Sequence, residues 1–127
     1  MKPLNPASAL RKSARRGHKG YPVGTIAFYG PDDTRASKVV LGVIAFDGAE
    51  PVLTKWFSET ADLRRSPRVL RAILDRLHEA KVRSVSMIDR IIGCPHEEGV
   101  DYPDGECCPV CTFWAGRDRF TGERHTQ

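Results

Sequence analysis

Cysteine is confined to one short stretch of this chain. All four cysteines lie between positions 94 and 111, and the first 93 residues contain none. A disulfide framework spread over the whole domain is therefore excluded, because most of the chain has no sulfur with which to pair.

Long apolar runs and common nucleotide-binding motifs are also missing. No stretch approaches the ~20 apolar residues that a membrane-spanning helix needs, so we expect no membrane contact. The chain has no Gly-rich phosphate loop, no dinucleotide-binding fingerprint and no Ser-His-Asp arrangement typical of a catalytic triad.

Residues 1–5 lack the apolar stretch of a secretory signal, so we expect a cytoplasmic protein with reduced cysteines. The length of 127 residues fits one domain.

Acidic residues are absent from the first 20 positions, which carry six of the 20 basic residues. The rest of the chain carries the other 14 basic residues and all 16 acidic residues, so the excess positive charge belongs to the N-terminal segment. Prolines and glycines interrupt this segment, and they predict a flexible basic arm over 1–22. A basic arm suits either contact with nucleic-acid phosphates or a solvated tail. Its candidate contacts are Arg11, Lys12, Arg15, Arg16 and Lys19.

The cysteine-rich stretch contains two short pairs of metal ligands. Cys94 and His96 are separated by one residue, and Cys108 and Cys111 by two. Thiolate and imidazole are ligands that zinc favours, so the four predict a Zn²⁺ site with a zinc-knuckle turn at Cys108–Cys111. Cys107 either replaces Cys108 as a ligand or remains a free thiol beside the site. A redox pair is disfavoured, because such a motif normally opens a substantial helix.

The rest of the pattern predicts an α+β fold in the order β-β-β-α-β. Three strands joined by short turns indicate an antiparallel meander, followed by one packed helix and a fourth strand. Ser66 and Pro67 are typical of a helix start, and Leu70, Ile73, Leu74 and Leu77 form one apolar stripe. The strands are predicted at 25–29, 38–46, 52–57 and 82–88. We expect an α+β core over 23–93 and a zinc-binding segment over 94–127 packed on it.

The predicted order of elements resembles the opening half of ribonuclease H-like folds. In that family, carboxylates at strand ends bind Mg²⁺, which would make Asp89, with Asp32 or Asp33, the candidate catalytic residues here. The family's first acid normally lies within the first strand, and the stretch 25–29 has none. Glu59 or Asp62 would have to replace the helix acid, although both precede the predicted helix. The analogy is one of topology only.

A non-enzymatic role is favoured over nuclease activity. The loop between His96 and Cys107 holds five acids and no base, so the zinc segment itself is a poor site for nucleic acid. The basic arm and an Arg-rich face at Arg64, Arg65, Arg68 and Arg71 are better candidates. We therefore expect a small zinc protein that binds nucleic acid or a protein of a nucleic-acid assembly. The third alternative is a protein-binding adaptor that uses the aromatic and arginine residues from Trp114 to Phe120.

Overall fold

The computed structural model describes residues 5–97, 100–103 and 108–114, which form a mixed sheet and two α-helices. The predicted α+β class is confirmed. In chain order the elements are α1 (Pro6–Arg15), β1 (Val23–Tyr29), β2 (Lys38–Ile44), β3 (Val52–Phe57), α2 (Pro67–Glu79) and β4 (Ser84–Ile91), with short 3₁₀ turns at Leu63–Arg65 and Thr112–Trp114.

The sheet has four strands in the order β3-β2-β1-β4. β1 pairs antiparallel with β2, and β2 pairs antiparallel with β3. β4 pairs with β1 in parallel, and this geometry requires the long crossover that α2 supplies. β1 is therefore central, and its C-terminal end lies between the start of β2 and the end of β4.

One face of the sheet forms the core. Along β1 the buried positions alternate, and Ile26 and Phe28 are each 2% exposed. Val39 and Leu41 of β2 belong to the same buried cluster. Alternation with period two places these four side chains on one face, and that face packs against the helices.

The helix α2 covers this face, as the sequence predicts. Its start is stabilised by the Ser66 side chain, which accepts a hydrogen bond from the Val69 backbone N–H, and by Pro67 at the first turn. The apolar stripe is buried as expected, with Val69 added to it. At 13 residues α2 is the longer of the two α-helices. No helix within the described ranges is long and apolar enough to cross a membrane.

The helix α1 differs from the flexible arm expected over 1–22. The Asn5 side chain accepts hydrogen bonds from the backbone N–H groups of Ala7 and Ser8, which begins the helix. Leu10 is only 1% exposed and packs in the main core beside α2 and β4. A short helix is marginal when isolated, but burial of one large side chain against the domain stabilises it.

The segment after α1 is also attached to the sheet. The Ser84 side chain, at the start of β4, accepts from the Lys19 backbone N–H at 2.7 Å and donates to the Gly20 carbonyl at 2.7 Å. The Arg83 backbone N–H donates to the Pro22 carbonyl. These bonds explain why Ser84 is buried although it is polar.

We predict that Leu10→Ala lowers the free energy of unfolding by ~2–4 kcal/mol, because it leaves a cavity where α1 joins the core. Urea denaturation followed by circular dichroism measures the change. Ser8→Ala, at an exposed position of the same helix, is the matched control and should have little effect. Equal stability of the two variants would show that α1 is not held by Leu10.

Candidate metal centre

The first pair of ligands follows β4 directly. The Ile92 backbone N–H donates to the Phe28 carbonyl at 3.0 Å, and the Gly30 N–H donates to the Gly93 carbonyl at 2.9 Å. These bonds continue the contact between β4 and β1 to the end of the sheet. Cys94 and His96 therefore emerge beside the C-terminal end of β1.

The second pair of ligands is attached at the same place. The Trp114 indole N–H donates to the Gly30 carbonyl at 2.7 Å, and the ring packs against both the main core and a small cluster that contains Cys108 and Cys111. Gly30 thus binds both ligand-bearing segments through its backbone. An added Cβ at Gly30 would lie 2.0 Å from the Arg35 carbonyl oxygen, so this position accepts only glycine without rearrangement.

The four predicted ligands lie close together. The His96 Nδ1 atom is 3.2 Å from the Cys94 sulfur, 3.4 Å from that of Cys108 and 3.5 Å from that of Cys111. All four ligand atoms lie within 4.8 Å of one another. Tetrahedral bonds of ~2.3 Å to sulfur and ~2.0 Å to nitrogen would separate such atoms by about 3.6 Å. The tetrad is therefore of the right size to hold one metal ion.

The cluster is partly enclosed by protein. Cys108 and Cys111 are 7% and 4% exposed, and Tyr102, at 8%, packs against them. Cys94 and His96 are half-buried. Cys94, Cys108 and Cys111 are free thiols, so none of them is used in a disulfide.

The thiol pKa values show why this cluster favours a cation. Burial raises the pKa of Cys94 to about 12, and burial together with the charge on Cys108 raises the pKa of Cys111. Burial also opposes ionisation of Cys108, but the backbone N–H groups of Cys111 and Val110 hold its pKa below the usual value. One thiolate is thus stabilised by the turn, whereas full ionisation of three neighbouring thiols requires a compensating cation.

A buried lysine supports the loop that carries Cys94 and His96. Lys38, the first residue of β2, is 5% exposed, and its ammonium donates to the Pro95 carbonyl at 3.0 Å. It also lies 3.3 Å from a carboxylate oxygen of Glu97 and near the faces of the Tyr29 and Phe57 rings. Lys38 therefore contacts the residues immediately before and after His96.

Glu97 is held by a second lysine as well. Lys55 of β3 contacts the same carboxylate oxygen as Lys38. Hydrogen bonds from Lys55 and then Lys38 lower the pKa of Glu97, so this carboxyl stays ionised. The backbone N–H of Glu97 donates to the Asp101 carboxylate at 2.7 Å, which closes the turn after His96.

The predicted nuclease residues do not form a second site among the residues that the structure describes. There, the only group of at least three close His, Cys, Asp or Glu side chains is the Cys/His tetrad. Asp32 accepts hydrogen bonds from the backbone and side chain of Thr34, and Asp62 pairs with Arg64. Asp33 and Glu59 are exposed. The side chain of Asp89 lies outside the described residues, so its role stays a prediction.

The other candidate residues fall in several places. Arg11, Lys12 and Arg15 lie on the exposed face of α1, and Arg16 and Lys19 are exposed beyond its end. Arg65, Arg68 and Arg71 are exposed, whereas Arg64 is half-buried. Trp114 is half-buried against the core, and the remainder of the predicted partner segment lies outside the described residues, as does Cys107.

Two supporting residues were not anticipated from the sequence. Lys38 heads an otherwise apolar strand, and a single lysine in such a run is a signal that its charge needs a buried partner. Gly30 gave no signal beyond membership of a turn. Its function depends on contacts with Gly93 and Trp114, which are remote in sequence.

Comparison with family models, with curated proteins and with solved structures finds no match for this chain. The function is therefore inferred from the geometry of the tetrad.

We predict that Lys38→Met weakens metal binding by about 10- to 100-fold, because the ligand loop loses the ammonium that holds it. Competition of the purified protein with a chromophoric chelator for Zn²⁺ measures the affinity. Lys81→Met, at an exposed position after α2, is the control. Unchanged affinity in a folded Lys38→Met protein would contradict a positioning role for Lys38.

Proposed function

We propose that this chain is a small zinc protein in which the metal ion is structural. The observation that carries this proposal is the convergence of three sulfur atoms and one imidazole nitrogen at the spacing of a tetrahedral site. Sulfur-rich sets favour Zn²⁺ over Mg²⁺ or Ca²⁺, which prefer oxygen ligands. Four protein ligands fill the coordination shell and leave no position for a reacting water, as in structural sites.

In this proposal Cys108-Pro109-Val110-Cys111 is the knuckle half of the site. Backbone N–H groups of Val110 and Cys111 directed at the Cys108 sulfur are typical of such turns, because they stabilise a bound thiolate. The ion would join two segments that both contact Gly30, and a structural zinc can contribute ~10 kcal/mol or more to folding. Its role is then to fix the last part of the chain on the sheet.

We further propose that the protein binds nucleic acid and is not an enzyme. Support comes from α1, whose positions 8, 11, 12 and 15 are exposed, so that Arg11, Lys12 and Arg15 form one basic face. Burial of Leu10 on the opposite side fixes the orientation of this face. Arg and Lys side chains on a rigid element gain affinity for a phosphate backbone by releasing its counterions.

The metal proposal predicts about one zinc per chain in the purified protein, measured by elemental analysis. Cys108→Ser and Cys111→Ser should lose the metal and destabilise the C-terminal segment. Cys107→Ser is the matched control, since it changes the neighbouring cysteine outside the tetrad, and it should keep the metal. Loss of zinc from Cys107→Ser with retention in Cys108→Ser would contradict the ligand assignment. Full folding without any metal would contradict the structural role.

The nucleic-acid proposal predicts that mixed-sequence oligonucleotides bind at 50 mM salt and bind more weakly at 200 mM, because counterions then compete. Fluorescence anisotropy measures both affinities. The double variant Lys12→Glu/Arg15→Glu should lose about tenfold or more, whereas Asp75→Lys, which adds charge on the exposed face of α2, should not reduce binding. Affinity that is insensitive to both salt and the α1 charges would contradict the proposal.

A further inference from the structure

A groove lies between α1 and the beginning of α2. It has a volume of about 720 Å³, and arginines line it from both sides. Arg11 comes from α1, Arg64 and Arg65 come from the 3₁₀ turn before α2, and Arg71 comes from α2 itself. The groove exists because α1 is docked on the domain through Leu10.

The electrostatics of the groove favour an anion. Arg64 is held in place by Asp62, at 2.8 Å, and by the Thr34 carbonyl, at 3.2 Å, so its guanidinium group is already balanced by an acid. Arg11 and Arg65 are exposed on opposite walls. The first turn of α2 contains no acidic residue, so the positive end of its helix dipole adds to their charge. Guanidinium groups suit phosphate oxygens in particular, because they bind them through paired N–H groups.

The groove also has an apolar extension. A cavity of about 240 Å³ shares Ala7, Arg11, Arg64, Arg65 and Leu70 with the groove. Leu10, Phe28 and Met87 form its floor together with Leu70. Because arginines and apolar side chains both line the cavity, a ligand that fills both parts has to present a phosphate beside a group that packs on apolar side chains and on guanidinium groups. A nucleotide has this combination, because its base can do both.

We propose that the groove between α1 and α2 binds single-stranded nucleic acid, with phosphates at Arg11 and Arg65 and one base in the apolar extension. A single strand is favoured over a duplex, because only unpaired bases are free to leave the stack and enter a cavity. A peptide of acidic residues alone offers no aromatic ring to stack on the guanidinium groups, and the plane of a membrane surface does not follow a concave site. This proposal rests on the proposed nucleic-acid function and specifies its site and ligand.

The test uses the full-length zinc-loaded protein and a fluorescent single-stranded oligonucleotide of about 12 nucleotides in fluorescence anisotropy. Arg65→Ala should weaken binding about fivefold or more, and Arg11→Ala/Arg65→Ala still further. Arg90→Ala is the matched control, because Arg90 is an exposed arginine of β4 that does not line the groove. It should change affinity less than about twofold. Ala7→Leu adds no charge but narrows the apolar extension, and it should also weaken binding.

The competitors are an unlabelled duplex of the same sequence, a poly-glutamate peptide and vesicles with anionic lipid. The proposal is overturned if the duplex competes as well as the unlabelled single strand, or if the peptide or the vesicles displace the labelled oligonucleotide. It is overturned, with the nucleic-acid function intact, if binding depends on Lys12 and Arg15 but Arg65→Ala matches Arg90→Ala. Absence of any oligonucleotide binding at low salt overturns both proposals. Zinc content and thermal stability confirm that each variant is folded.

Discussion

The backbone of Gly30 joins the Cys/His tetrad to the sheet. Its N–H binds the strand extension that leads to Cys94, and its carbonyl binds the indole that follows Cys111. Both pairs of ligands therefore reach the same end of β1, and the position excludes any larger residue because of the Arg35 carbonyl. The tetrad is consequently an extension of the central strand, and its geometry depends on the register of the sheet.

Charge is distributed unevenly around this framework. Beside the ligands, Glu97 is neutralised by Lys38 and Lys55, so the carboxylate supports the loop without adding free negative charge to a thiolate cluster. The arginines that line the groove are concentrated where α1 meets the beginning of α2. These two helices pack on the buried face of the sheet. The basic surface is therefore separate from the Cys/His tetrad within a chain of 127 residues.

Local patterns in the sequence predicted the α+β class, the helix α2 from its cap and stripe, and the four side chains that form the Cys/His tetrad. The helix α1 was not predicted as part of the fold, because its stability depends on burial of Leu10 among residues that are distant in sequence. Support of the ligand loop was missed for the same reason, since Lys38 and Pro95 are 57 positions apart. A short segment of sequence indicates whether it favours a helix or a strand. It does not indicate which distant residues it will contact in the folded protein.

The attachment of α1 through one fully buried leucine has a consequence for dynamics. Opening of α1 exposes far less apolar surface than global unfolding, so its amide protons should exchange through a local opening that leaves the sheet intact. The basic face and the arginine-lined groove exist as a unit only in the docked state. A ligand that contacts both α1 and α2 would suppress this opening, and occupancy of the groove would thereby determine the exchange rate of the helix.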